Sequence, residues 1–192
     1  MARPRKFDHD ATLDAIVDEF WGSSYAATST EDLCARTGLS RSSLYNAFQS
    51  KPASYRLALA RYGDAKAAQR QHYAQLPGTG RDVLRHLMSE VVAEQQGQSD
   101  RRSCLVVNAC VELGGTDPEI AGLARQSLAA FESLLQQVIV RGQRDGSVRA
   151  DLPAQELART VHAVINGLQV RDRVAADPTE SARVISTVLA LV

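Results

Sequence analysis

Between Thr28 and Phe48 the chain reads TSTEDLCARTGLSRSSLYNAF, and the corner at Thr37-Gly38-Leu39 is its strongest constraint. Gly38 tolerates the left-handed backbone that a tight turn needs, so a helix arriving from Thr28 stops there and a second begins directly after it. Thr28 as N-cap, with Glu31 at the third helical position, predicts the first of these helices, and Ser40 caps the second. Leu33 anchors the first. Leu44 and Phe48, four apart, give the second an apolar side and leave Arg41, Ser42, Ser43, Tyr45 and Asn46 largely outside. Two short helices at a sharp angle, the second with a polar outer face, describe a helix-turn-helix that enters the DNA major groove. Glycine-cornered hairpins also occur in all-helical proteins with no DNA partner. Arg, Ser and Asn reach base edges, however, whereas a merely solvated face more usually carries Glu and Lys.

The 192 residues have zero formal net charge and are 44% hydrophobic, which fits a folded globular chain and excludes a disordered one. Neutrality argues against a protein coated in nucleic acid, but not against a local DNA surface. Residues 1–51 hold six basic side chains against seven acidic ones. The acids cluster in the first helix and at the start of the second. The bases lie in the arm (Arg3, Arg5, Lys6), at Arg36 and Arg41, and at Lys51. The arm can follow phosphates, enter a minor groove, or remain a solvated tail. Cys34, Cys104 and Cys110 lack metal-ligand spacing, so reduced, buried thiols in a cytoplasmic chain are expected, with no metal and no cofactor. There is no signal-peptide pattern and no apolar run of about 18 residues, which leaves no membrane partner. Neither a glycine-rich phosphate loop nor HExxH is present, and Cys104, Glu112 and His162 have no catalytic spacing, so no enzyme is expected.

Periodicity predicts an all-α fold of about nine helices. Leu13, Ile16, Val17 and Phe20 stripe a first helix from Phe7 to Trp21, ended by Gly22. Ser50 caps a long helix from Lys51-Pro52 to about Leu76, packed through Tyr55, Leu59, Tyr62 and Leu57. Its first turn places Lys51 and free backbone N–H groups where a phosphate can bind. Pro77-Gly78 breaks the chain, and Thr79 with Asp82 opens a buried helix that fades in the polar run from Glu94 to Arg102. Ser103 to Leu113 reads as a buried helix, and Asp117-Pro118 starts another that extends to roughly Arg141 before a polar turn from Gly142 to Ala150. Two helices close the chain, Pro153 to Arg171 and Pro178 onward, the latter opened by an Asp177–Glu180 capping box. Their wide apolar arcs suit a two-fold helical interface, and hence a homodimer through the last two helices.

The N-terminal third resembles the TetR family of bacterial transcriptional regulators. The likeness rests on the helix ending near Phe20, the Gly22–Tyr25 bend, Thr28 to Cys34, Thr37-Gly38-Leu39-Ser40, Leu44-Tyr45, Phe48 and Ser50-Lys51; the segment Cys104-Leu105, Asn108 and Glu112-Leu113 looks like one branch of that family. The resemblance implies a three-helix DNA-binding domain over residues 1–50 and a helical ligand-binding and dimerisation domain over residues 51–192. It implies that Arg41, Ser42 and Ser43 face bases or adjacent phosphates, Tyr45 touches the DNA backbone, Lys51 clamps a phosphate, and Thr28 anchors the preceding helix near the backbone. Asn46-Ala47 departs from the bulkier ring residues frequent there, which either shifts specificity toward Asn46 or loosens the hold on the operator. The family's remaining helices usually enclose a small-molecule effector, whose entry moves the long fourth helix and spoils the spacing of about 34–36 Å that paired readers need on operator DNA.

An apolar pocket with a few convergent polar groups would draw on Met88, Val91, Cys104, Asn108, Glu112, Phe131, His162, Asn166 and Gln169. Asn108 and Glu112 are four apart, as are His162 and Asn166, so each pair can share a face. Each polar group can instead satisfy a buried backbone group. Cys104 follows Arg101-Arg102, whose charge favours thiolate if aimed at it; an inert core thiol is the alternative. An all-helical protein-interaction module is the competing non-enzyme reading.

Overall fold

The computed structural model describes residues 7–98, 102–175, 177 and 179–192, and the basic arm of residues 1–6, Arg101 and Pro178 lie outside them. Among the described residues there are nine α-helices: α1 (His9–Ser23), α2 (Thr30–Thr37), α3 (Arg41–Phe48), α4 (Lys51–Ala74), α5 (Gly80–Gln96), α6 (Leu105–Leu113), α7 (Pro118–Asp145), α8 (Ala154–Asp172) and α9 (Glu180–Leu191).

Local chemistry sets most of the starts. The hydroxyls of Ser40, Ser50 and Thr79 accept from backbone amides of α3, α4 and α5, Asp117 does the same for α7, and Gly38 at φ 69° closes α2. Five boundaries differ from expectation, the end of α7 among them. α1 passes through Gly22, and the chain turns at Ser24 (φ 76°), because Ser24 O receives both the amide and the hydroxyl of Thr28 and so builds its own turn. That hydrogen bond buries Thr28, and the capping box of α2 is made one residue later by Ser29 and Asp32. α5 runs on through Glu94 and Gln95 to Gln96. At the other end, Asp177 Oδ1 takes the amide and hydroxyl of Thr179 instead of forming a box with Glu180, so α9 starts without a side-chain cap. Leu57, expected to pack, is 42% exposed.

The helices share two hydrophobic clusters among the described residues. One joins Leu13, Ile16 and Phe20 of α1 to Leu33, Leu44, Phe48, Tyr55 and Leu59, and continues into Leu105 and Ala109 of α6 and Ile120 of α7. The other packs α5 against the second half of α7 and against α8 and α9, with Leu84, Leu87, Leu135, Ile139, Val161 and Ile185 inside. α4 spans both, through Tyr55 in the first and Tyr73 in the second.

Gly142, read from sequence as the start of a turn, lies buried inside α7, which ends only at Gly146 (φ 78°). The reason is a close helix crossing: a Cβ at Gly80 would meet the amide nitrogen and Cα of Gly142, and would lie 2.7 Å from the Val138 carbonyl oxygen. Only glycine lets these backbones approach so closely. Gly80→Ala is therefore expected to destabilise the chain by about 1–3 kcal/mol. Gly122→Ala, with open space around its Cα, is expected to gain up to about 1 kcal/mol. Urea unfolding midpoints of the two variants check this, and an unchanged Gly80→Ala midpoint would refute the crossing.

Candidate DNA-reading face and ligand cavity

The reader hairpin is fixed from beneath. Leu33 of α2 and Leu44 and Phe48 of α3 are buried on Ile16 and Phe20, and the Phe20 ring meets Tyr55 of α4 edge-on at 4.9 Å. Its outer face carries Arg41, Ser42 and Asn46 in solvent, with Ser43 and Tyr45 half-buried. Arg41 Nη1 donates to Glu31 Oε1 at 2.8 Å, and its guanidinium lies 5.7 Å from the Tyr45 ring centroid. The Tyr45 hydroxyl is 3.3 Å from that of Thr30 at the start of α2. Ser42 and Ser43 share hydrogen bonds with the capping hydroxyl of Ser40. Lys51 sits with its ammonium 4.3 Å from the Tyr25 ring centroid, at the base of α4. The face thus gathers Arg41, Ser42, Tyr45 and Asn46 with the first turn of α2. Thr28, expected near the DNA backbone, is buried with its hydroxyl given to Ser24 O, and so shapes the turn before α2.

A cavity of about 90 Å³ opens between α4, α5, α7 and α8 and is edged by Trp21 of α1 and the segment 102–104. One face of α4 supplies Tyr62, Lys66, Gln69, Arg70 and Tyr73. Lys66 Nζ bonds both carboxylate oxygens of Glu94 at 2.9 and 3.0 Å and donates to Gln69 Oε1, and the Gln69 amide donates to the Tyr73 hydroxyl at 3.0 Å. The Tyr62 hydroxyl points at Cys104 Sγ, 3.7 Å away, and burial pushes this phenol well above its ordinary pKa. Opposite, His162 stacks edge-on with Phe131 at 5.0 Å and lies 3.3 Å from Glu132 Oε1.

Cavity and reader are joined by polar contacts. The Trp21 indole N–H donates to Ser103 O, and Arg102 lies over the Trp21 ring at 4.9 Å while its Nη1 donates to Asp18, which also pairs with Arg36 of α2. From α6, the Glu112 carboxylate accepts the amides of Tyr25 and Ala26 in the turn before α2.

Residues 13–53 match the profile described as bacterial regulatory proteins, tetR family, and residues 78–188 match that of the tetracyclin repressor-like C-terminal domain. The HTH-type transcriptional repressor ComR of Escherichia coli is 30% identical, across 98% of this chain and 90% of its own length. The chain belongs to the TetR family. Its fold overlays the TetR family regulator CifR, a cysteine mutant solved with 26-bp double-strand operator DNA, with a TM-score of 0.83, 30% identity and 98% of both chains covered. A TetR-family structure from Agrobacterium tumefaciens, 15% identical, gives a TM-score of 0.86 over 96% of this chain and 99% of that one. This chain is thus a DNA-binding transcriptional regulator and not an enzyme. Among the described residues no helix is long and apolar enough to cross a membrane, and no cluster of His, Cys, Asp and Glu could hold a metal.

Of the cavity residues expected from sequence, Val91, Cys104, Phe131, His162, Asn166 and Gln169 line this TetR-family cavity. Three do not. Met88 is buried in the α5 core, Asn108 accepts from the Ser103 hydroxyl, and Glu112 faces the reader turn instead of sharing a pocket with Asn108. Sequence reasoning missed the α4 wall, although positions 62, 66, 69, 70 and 73 fall on one helical face. Arg102, beside Cys104 in sequence, is turned toward Asp18 and Trp21.

Burial pushes the His162 pKa down, and the hydrogen bond and charge of Glu132 only partly offset it. The unfolded imidazole titrates near about 6.5, so as pH falls the unfolded chain takes this proton first. The folded state loses stability through that range, and the loss levels off once the buried imidazole is itself protonated. Urea unfolding at about pH 7.5 and 5.5 is expected to show a smaller loss for His162→Gln than for the parent chain; equal losses would remove His162 as the titrating group.

Proposed function

We propose that this regulator binds a palindromic operator as a homodimer and acts as a repressor, released when a small molecule or thiol-reactive compound enters the cavity. The observation that carries the reading is the double use of α4. Its first turn is held to the reader through the Lys51–Tyr25 and Tyr55–Phe20 contacts, while its second half is a cavity wall. A ligand that shifts this wall also shifts the reader. The effect is reciprocal: a ligand that weakens operator binding is itself bound less well by the DNA complex.

In this reading residues 1–50 form the DNA-binding head and residues 51–192 the ligand and dimerisation body, working in the cytoplasm. Arg41, Ser42, Ser43 and Asn46 face the major groove, and Tyr45 and Lys51 hold phosphates. Val91, Cys104, Phe131, His162, Asn166 and Gln169 meet the effector, with Cys104 the site of thiol chemistry. The resemblance to CifR, solved on operator DNA, and to ComR, named a repressor, supports the assignment.

The outward surface of α8 and α9 supports pairing. Val170 and Leu191 are more than half exposed, and the same two helices expose the small residues Ala163, Gly167, Ala182, Ser186 and Ala190. The hydroxyls of Ser186 and Thr187 are already given to carbonyls of their own helix, so a partner helix can pack there without stranding them.

Fluorescence anisotropy with the duplex flanking the chain's own gene tests the assignment. Arg41→Ala is expected to weaken operator binding by roughly 5- to 150-fold and to relax the preference at one base pair, whereas Lys51→Ala weakens all sequences alike and reduces the salt slope by about one. If neither change alters affinity or salt dependence, the reading surface is misassigned. Gly167→Glu is expected to turn a sedimenting dimer into monomers and to abolish preference for a two-fold-symmetric site; a dimer that persists places the interface elsewhere.

A further inference from the structure

Among the described residues, the cavity's ionic groups are satisfied one by one, with a single exception. Lys66 is matched by Glu94, Arg102 by Asp18, and His162 faces Glu132 while burial lowers its pKa. Arg70 lines the same cavity, yet its contact is Nη2 to the Gly63 carbonyl at 3.4 Å, and among the described residues no carboxylate pairs with it. The contrast with other arginines is plain: carboxylate hydrogen bonds raise the pKa of Arg56 (Asp117) and Arg61 (Asp14), while Arg70 feels burial alone and is lowered. A guanidinium partly withdrawn from water without a counter-charge is unfavourable, and a carboxylate matches its fork with two parallel hydrogen bonds.

We infer that the cavity takes an anionic ligand, a carboxylate on an apolar or aromatic body, with the acid group docked on Arg70. The inference rests on the reading of this cavity as the effector site and adds the ligand's chemical class. Trp21, Tyr62, Tyr73 and Phe131 supply broad ring surfaces for the body. A cationic ligand is disfavoured, because Glu94 is already bonded through both oxygens to Lys66, and Arg70 would repel it.

The chain carries its own reporter, since Trp21 is its one tryptophan and lines the cavity. Trp21 fluorescence of the full-length protein is titrated with 4-phenylbutyrate and octanoate, and with the neutral amide of each. The carboxylates are expected to bind at least about tenfold more tightly than their amides. Arg70→Gln is expected to bring acid and amide within about twofold of each other while leaving amide binding and the thermal midpoint unchanged, and Arg70→Lys to restore part of the preference. Amides that bind as well as acids, a preference that survives in Arg70→Gln, or no response to any carboxylate would each overturn the inference. Operator anisotropy separates it from the wider reading. A carboxylate that binds without altering operator affinity supports the anion site and overturns its role as effector site. An amide that binds more tightly than its acid and releases operator overturns the anion site alone.

Discussion

Phe20 and Tyr55 are fully buried against one another, and through that contact the reader hairpin is fastened to α4. Each ring of this kind removes roughly 150–250 Å² from water, far more than any polar contact at this junction contributes. Tyr25 contacts both rings, stacked on Phe20 at 6.1 Å and tilted against Tyr55 at 4.9 Å. Because Tyr25 also carries Lys51 on its face, the packing that holds α1 to α4 positions the base of the reader as well. A rigid head is a condition for groove recognition, since base contacts fail when donors wander.

The polar contacts between head and body do a different job. Arg36 and Asp18 are partly solvent-exposed, as are Arg56 and Glu119, and such pairs stabilise by only about 0–1 kcal/mol. Their value is directional. Asp18 is shared by Arg36 of the reader hairpin and Arg102 at the cavity edge, and Glu112 holds the turn at Tyr25 and Ala26 from α6. Weak links of this kind can be exchanged at little energetic penalty, whereas the aromatic junction cannot; under the proposed mechanism, a shift in the cavity wall would move the head as a body without melting it.

In the distal half of the chain the organising constraint is closeness of backbones. Gly80 against Gly142 brings the start of α5 onto the end of α7, and Asp145 reinforces the crossing by accepting the Gly80 amide at 2.8 Å. Arg81 then donates to the carbonyl of Ser147, fixing the turn that leads to α8. This crossing lies at the opposite end of α5 from Glu94 and Gln95, which line the cavity.

Periodicity and caps were sufficient for much of this protein. The stripe of Leu13, Ile16 and Phe20, the corner at Gly38, and the caps at Ser40, Ser50, Thr79 and Asp117 are local instructions, satisfied by residues within one helical turn, and they read correctly in one dimension. His162 and Asn166, one turn apart on α8, were legible as cavity residues for the same reason. Most of what failed depends on neighbours far along the chain. Gly142 looks like a helix stop until Gly80 is seen against it, and Thr28 and Ser29 are equivalent caps until burial chooses between them. Glu112 and Asn108 have the spacing of a pocket pair, yet one is drawn to the reader turn and the other to Ser103. The wall formed by Tyr62, Lys66, Gln69, Arg70 and Tyr73 reads from sequence as an ordinary half-solvated helix, because only tertiary packing decides whether a polar face looks onto water or onto an enclosed space.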